Sequence, residues 1–235
     1  MGGIALFVVI GLVILAIVGL MAYYNYKRGQ ALAAFAGAHG WSYVDEASEF
    51  VNRWEGDPFG NGDDRETDNA IRGLYQGLEM VAFEYSYETH TTDSKGNRST
   101  TTHRYSVVAL LTATRLPGLS VSPEGGISRI FGKLFNTDIL LESEEFNRAF
   151  TVSSDDRRFA SSVLHPRTME ALLAYRDVDW DIRGGDFVSV DSGNLDPELI
   201  GHRCDAMLTV LRGIPDFVWD DLGGRPASLP SDVRE

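Results

Sequence analysis

Cysteine and lysine are scarce in this chain of 235 residues. Cys204 is the only cysteine, so no disulfide can form within the chain and no zinc site can be built from cysteines. Lysine and arginine together number 21, against 34 acidic residues, which gives a formal net charge of −13. A chain this acidic repels the phosphates of nucleic acids, and we therefore expect no nucleic acid partner.

Recognisable catalytic and metal-binding motifs are missing as well. The histidines are scattered, and none has the H-x-H or H-E-x-x-H spacing of a zinc site. The segment 118–122 (G-L-S-V-S) lacks the last glycine of the turn that presents a catalytic serine in hydrolases. The glycine pairs at 125–126 and 223–224 are not followed by the residues of a phosphate-binding loop. We predict no cofactor, no metal and no catalytic residue, and we expect the chain not to be an enzyme.

An uncharged, mostly apolar run of 19 residues, 4–22, opens the chain. As a helix it would be roughly 28 Å long, close to the ~30 Å thickness of a bilayer core. A cleaved signal peptide is the alternative, but such signals have a basic start and an apolar run of only about 7–15 residues. We therefore predict that residues 1–26 form a transmembrane anchor whose residues 4–22 contact the lipid bilayer.

Aromatic and basic side chains follow the apolar run directly. Tyr23, Tyr24 and Tyr26 are placed where aromatic side chains line the headgroups, and Lys27 and Arg28 are the first charged residues. Because positive charge favours the cytoplasmic side, we expect an inner-membrane protein whose soluble domain is cytoplasmic. Two charges are a small bias, and an extracytoplasmic domain is the alternative.

The remaining sequence predicts one α+β domain. Residues 27–40 read as a juxtamembrane helical stalk, residues 41–222 as the soluble domain, and residues 223–235 as a disordered tail rich in polar residues, glycine and proline. The ranges 41–136 and 137–222 are candidate subdomains. The first is rich in strand patterns, whereas helices dominate the second.

Alternation of apolar and polar residues predicts antiparallel hairpins. Residues 80–88 place Val81, Phe83 and Tyr85 on one face of a strand, and the pattern resumes near Tyr105 after a polar segment. This predicts a long hairpin with a solvated tip. A second hairpin is predicted around 183–185 (R-G-G). The acidic, glycine-rich stretch that follows Val44 for about thirty residues does not match a calcium-binding loop, and we interpret it as a solvated loop.

Helix signals dominate the last third of the chain. Capping residues at 153–156 precede one helix, Pro166 starts another, and Asp196 with Pro197 begins a third. The third helix carries the clearest apolar stripe of the soluble part, which includes Cys204 and Leu211. These helices are expected to pack on the sheet.

Four arginines near these helices form a candidate interaction patch for an anionic headgroup or a phosphopeptide. The alternative is simple pairing with neighbouring acidic residues at the surface. The patch consists of Arg148, Arg157, Arg158 and Arg167.

Several segments resemble a group of bacterial single-pass membrane proteins known only as a domain of unknown function. They are P-F-G-N-G at 58–62, N-A-I-R-G at 69–73, F-E-Y-S-Y at 83–87 and, most specific, E-F-N-R-A-F-T-V at 145–152. The likeness extends over about residues 27–222. It implies a membrane anchor followed by an α+β domain, without an activity, cofactor or catalytic residue to transfer.

These observations favour a noncatalytic binding or interaction module that is anchored to a membrane. Its partner would be an unknown protein or small ligand. The alternative is a membrane-tethered enzyme of an unrecognised class, which would have a cleft where an acid and a base converge with shifted pKa values.

Overall fold

The computed structural model describes residues 2–124 and 139–225. The expected boundary between subdomains at 136–137, and the predicted disordered tail from residue 226 onward, lie outside the described residues. Within them the chain forms a long N-terminal helix, an antiparallel sheet and several shorter helices. The predicted α+β class is confirmed.

The segments predicted as anchor and stalk form one helix, α1 (Gly2–Ala38), of 37 residues. Part of it, from residue 9 to 38, is long and apolar enough to cross a membrane, and its most apolar window is not buried in the protein. The other end of α1 belongs to the domain, because Leu32 and Ala36 are fully buried in its core. The helix is therefore shared between a candidate span and the folded domain.

Eight described strands form one sheet in which all neighbours are antiparallel, in the order β1-β2-β3-β4-β8-β7-β5-β6. The pairing of β4 with β8 joins strands from both candidate subdomains into this sheet. The strands are β1 (Ser42–Glu46), β2 (Asp63–Tyr75), β3 (Leu78–Thr92), β4 (Arg98–Leu111), β5 (Leu119–Pro123), β6 (Phe150–Ser154), β7 (Trp180–Arg183) and β8 (Asp186–Ser192).

Each face of the sheet has its own core, as the two-residue period of strands requires. On β3, Met80 and Ala82 face the helices, whereas Val81 and Phe83 face an aromatic cluster beneath residues 47–59. Trp54 stacks on Phe83 with the ring planes 3° apart. The predicted faces of β3 are thus confirmed, and both of them are buried at the centre of the strand.

The helical predictions for the last third are confirmed with small shifts. At the start of α3 (Arg157–Val163), the Asp156 carboxylate accepts a hydrogen bond from the Phe159 amide, 2.9 Å away. Helix α4 starts at Pro166, and α5 begins at Leu199, shortly after the expected Asp196. The α-helices after α1 in the described residues are α2 (Glu144–Ala149), α3 (Arg157–Val163), α4 (Pro166–Leu172), α5 (Leu199–Gly213) and α6 (Asp216–Asp221).

The prediction of a loop throughout the acidic stretch after Val44 was wrong, because this stretch contains most of β2. Two register shifts, between Asp63 and Glu66 and between Asp68 and Ile71, interrupt its pairing with β3. Such bulges break the alternation of apolar and polar residues by which a strand is recognised. Pairing on both sides, with β1 and β3, stabilises the strand nevertheless.

Candidate functional site at the junction of helix and sheet

A buried carboxylate connects α1 to the sheet. Glu84, on β3, is 7% exposed, and its Oε1 accepts hydrogen bonds from Arg28 Nε at 3.1 Å and from the Leu195 amide at 2.9 Å. The Arg28 Nη2 group also donates to Glu84 and, at 2.6 Å, to the Leu195 carbonyl. Three distant parts of the chain therefore meet at one charged group.

Asn69 and Tyr43 extend this network. Asn69 Nδ2 donates to Glu84 Oε2 at 2.9 Å, and the Tyr43 hydroxyl donates to Asn69 Oδ1 at 2.8 Å. Burial, and then the nearby Asp45 carboxylate, raise the pKa of Tyr43 to about 12. A methyl group on Gly29 would lie 3.0 Å from the Tyr43 hydroxyl, so the glycine allows α1 to lie close to β1.

A cavity of about 520 Å³ adjoins the network beside the emerging helix. Its wall carries both signs of charge, with Arg28 and Arg104 facing Asp45, Asp68 and Glu84. Burial, and then repulsion from neighbouring carboxylates, raises the pKa of Asp68. Such a wall suits a polar group of a ligand or of a partner protein more than an apolar chain.

The residues predicted at the membrane interface divide into two groups. Tyr23, Tyr24 and Tyr26 are all more than half exposed, and the Lys27 ammonium lies 5.9 Å from the centre of the Tyr23 ring. Arg28, by contrast, turns toward the domain to pair with Glu84. Its charge is engaged within the protein instead of being directed to the headgroups.

The four arginines of the predicted patch lie on three helices. Arg148 pairs with Glu144 at 2.9 Å, and Arg158 with Asp221 at 3.7 Å, both on the surface. Arg157 is exposed on α3, and Arg167 lines a cavity of about 550 Å³ between α4 and the end of α5. Among the described residues, no hydrogen bond or ion pair joins the four to one another.

A larger open groove of about 1190 Å³ lies between residues 52–61 and the turn at 183–184. Two of the arginines that line it bind other parts of the domain. The Arg183 guanidinium donates to Asp181 at 2.7 Å and to carbonyls of residues 55–57, and Arg53 pairs with Asp186 at 2.9 Å. This groove was not predictable from the sequence, because its walls come from segments more than a hundred positions apart.

A smaller cavity of about 310 Å³ is lined by carboxylates beside the buried Arg203. His202 lies 2.9 Å from Asp177, and the Ser122 hydroxyl donates to Asp179 at 3.0 Å. Burial, reinforced by repulsion from Asp181, raises the pKa of Asp179 to about 7. This is where the described residues come closest to the shifted acid that an enzyme would need.

One group of metal-ligating side chains comes together on the surface. Atoms of Asp64, Glu88 and His90 lie within 4.8 Å of one another. Sequence spacing did not reveal the group, because Asp64 belongs to β2 and the other two to β3. His90 Nδ1 already bonds the Thr100 hydroxyl at 3.0 Å, and Glu88 accepts from Thr102 at 3.3 Å. Both contacts are cross-strand pairs of the sheet, so the group has a structural explanation.

A solved protein structure has a fold similar to that of this chain. The crystal structure of the mycobacterial trehalose monomycolate transport factor A, TtfA, superposes with a TM-score of 0.56 at 16% sequence identity. The match covers 80% of this chain and 96% of the TtfA chain. The two proteins share a fold. Family models and curated protein sequences gave no match to this chain.

Proposed function

We propose that this protein is a noncatalytic accessory factor of a membrane transport process, anchored in the inner membrane by α1 with its domain in the cytoplasm. The observation that carries the proposal is the fold shared with TtfA, a mycobacterial transport factor. We further propose that the cargo is an envelope lipid, and that the domain binds a protein partner at the membrane. The resemblance to single-pass membrane proteins of unknown function is in keeping with this role.

The junction between helix and sheet supports the proposal. A tether that merely concentrates an enzyme at a membrane can be flexible, whereas here Glu84 and the buried face of α1 fix the domain to the anchor. Arg28 bonds both Glu84 on β3 and the Leu195 carbonyl, and these contacts restrain the helix relative to the strand. A fixed orientation is useful when one surface must meet a partner in the same bilayer.

The cavity around Asp179 is the observation that favours the alternative, a membrane-tethered enzyme. Its carboxyl, with a pKa near 7, could act as a general acid. However, the Ser122 hydroxyl and Asp179 pack as part of the contact between β5 and the segment before β7, and the histidine of the cavity is bound to Asp177. We therefore assign Asp179 a structural role.

The experiment is complementation of a deletion in the native host, with envelope lipids pulse-labelled and their distribution between inner and outer layers measured. We expect the deletion to leave labelled lipid in the inner membrane, and the full chain to restore its export. A chain starting at residue 27 should not restore export, whereas Asp179→Asn should restore it fully. Immunoblots confirm equal amounts of each variant.

Two results would contradict the proposal. An unchanged lipid distribution in the deletion strain would exclude the transport role. Loss of export in Asp179→Asn, at normal protein amount and stability, would favour the enzyme instead.

A further inference from the structure

The hairpin of β3 and β4 extends well beyond the domain. We call residues 89–102 the ribbon. Its ladder is regular, with Thr89 opposite Thr101 and Thr92 opposite Arg98, and the Asp93 carboxylate accepts hydrogen bonds from the amides of Lys95 and Asn97 in the turn. Yet every residue from 90 to 102 is exposed. An isolated two-stranded hairpin is marginally stable in water, so a contact outside the domain would stabilise this one.

The topology points the ribbon toward the anchor. Helix α1 runs from the apolar span to Ala38, and the chain then reverses at Gly40 so that β1 returns along the helix. Strands β2 and β3 follow, each antiparallel to the one before. The far end of β3 therefore points in the direction of the N-terminal end of α1, where the span lies.

The contact between Arg28 and Glu84 shows which points of α1 and β3 lie side by side. From Glu84 to Thr92 the strand advances eight residues, or about 26 Å. From Arg28 back to residue 22, the end of the apolar run, the helix covers only about 9 Å. Because the sheet is twisted, the strand is not parallel to the helix, and it advances less than about 26 Å along the helix axis. The strand is nevertheless so much longer than the roughly 9 Å of helix that its tip reaches the level where the span enters the bilayer.

The composition of the ribbon suits a lipid headgroup layer. Eight of its 14 residues are serine or threonine, and none is apolar. It carries Lys95 and Arg98 against the single acid Asp93, in a chain whose net charge is −13. Hydroxyl and cationic donors bind phosphate oxygens, whereas a strand of this polarity is excluded from the hydrocarbon core.

We propose that the ribbon lies in the headgroup layer of the membrane that α1 crosses, and so forms a second contact of the domain with the bilayer. The inference rests on the anchor assigned under the proposed function. Together, α1 and the ribbon would restrain the domain at two points and fix which of its faces is turned toward membrane partners.

The test uses the full chain reconstituted in nanodiscs of phosphatidylcholine and phosphatidylglycerol, some of which carry a nitroxide on the headgroup. A bimane label is placed on Ser94→Cys in the turn of the ribbon. The matched control is Glu79→Cys, which is exposed at the opposite end of the same strand. The native Cys204 is fully buried and does not compete for the label.

We expect headgroup nitroxides to quench most of the fluorescence at position 94 and leave position 79 unaffected. Equal, weak quenching at both positions would overturn the inference. Incorporation of the protein into the discs is measured first by size-exclusion chromatography. A chain that does not enter the discs contradicts the anchor itself, so failure of the proposed function is distinguished from failure of the ribbon contact.

Discussion

Replacing Glu84 with glutamine is expected to lower the free energy of unfolding by about 2–3 kcal/mol and to loosen α1 from the domain. Glutamine conserves the volume but removes the charge, and its NH2 group replaces one of the two accepting oxygens. That group would face either the Asn69 amide or the donors of Arg28 and Leu195, so one side of the network loses its acceptor. The Arg28 side chain is 32% exposed, so the loss should be smaller than for a fully buried ion pair.

The measurement is urea unfolding of the full chain in detergent micelles, followed by tryptophan fluorescence. Glu79→Gln, on the same strand but exposed, is the control and should change stability by less than about 0.5 kcal/mol. A double-mutant cycle with Arg28→Met should give a coupling energy of about 1–3 kcal/mol. If Glu84→Gln is as stable as the control, the junction does not hold the helix.

Replacing Asp179 with asparagine is expected to stabilise the protein above pH 7 and to flatten its pH dependence. In the unfolded chain an aspartate loses its proton near pH 3.9, whereas in the folded protein burial raises the pKa of Asp179 to about 7. Between these values the folded state binds more protons, so the wild-type chain loses stability as the pH rises from about 4 to 7. Asparagine cannot titrate, and it keeps an oxygen for the Ser122 hydroxyl.

Unfolding midpoints of the full chain between pH 4.5 and 8 would measure this effect. The advantage of Asp179→Asn over the wild type should grow by about 3 kcal/mol between pH 4.5 and 7.5, because each pH unit between the two pKa values is worth about 1.4 kcal/mol. Asp177→Asn is the control with the opposite sign, because a hydrogen bond from His202 lowers the pKa of Asp177 and makes its ionised form stabilising. Parallel pH profiles for Asp179→Asn and the wild type would show that Asp179 is not a buried acid.

Patterns that repeat within a few residues were predictable from the sequence. The apolar run of α1, the alternation along β3 and the caps of α3 each depend on neighbours in the chain, and the structure has them in place. Strand β2 was not predictable, because its bulges shift the alternation and its stability comes from strands on both sides.

The junction shows why the candidate site itself was missed. On β3, Glu84 lies on the face opposite Val81, Phe83 and Tyr85, where the alternation places polar residues. The alternation alone therefore predicts an exposed glutamate. It is buried because Arg28, 56 positions away, and Leu195, 111 positions away, lie over it. Arg28 was likewise predicted to contact headgroups, because it directly follows the apolar run. Its actual partner, Glu84, is distant in sequence and is brought near only by the fold.

In the proposed function, α1 holds the domain at a membrane, on its cytoplasmic side. The most direct measurement labels Glu170→Cys, an exposed position on α4, with a membrane-impermeant maleimide in cells whose outer permeability barrier is open. The wild type is the control, because burial suppresses the reactivity of the Cys204 thiol and raises its pKa. Membranes are then extracted with alkaline carbonate.

We predict that the protein stays in the membrane pellet and is labelled only after the inner membrane is lysed. Release by carbonate would contradict the anchor, and labelling of intact cells would place the domain on the other side.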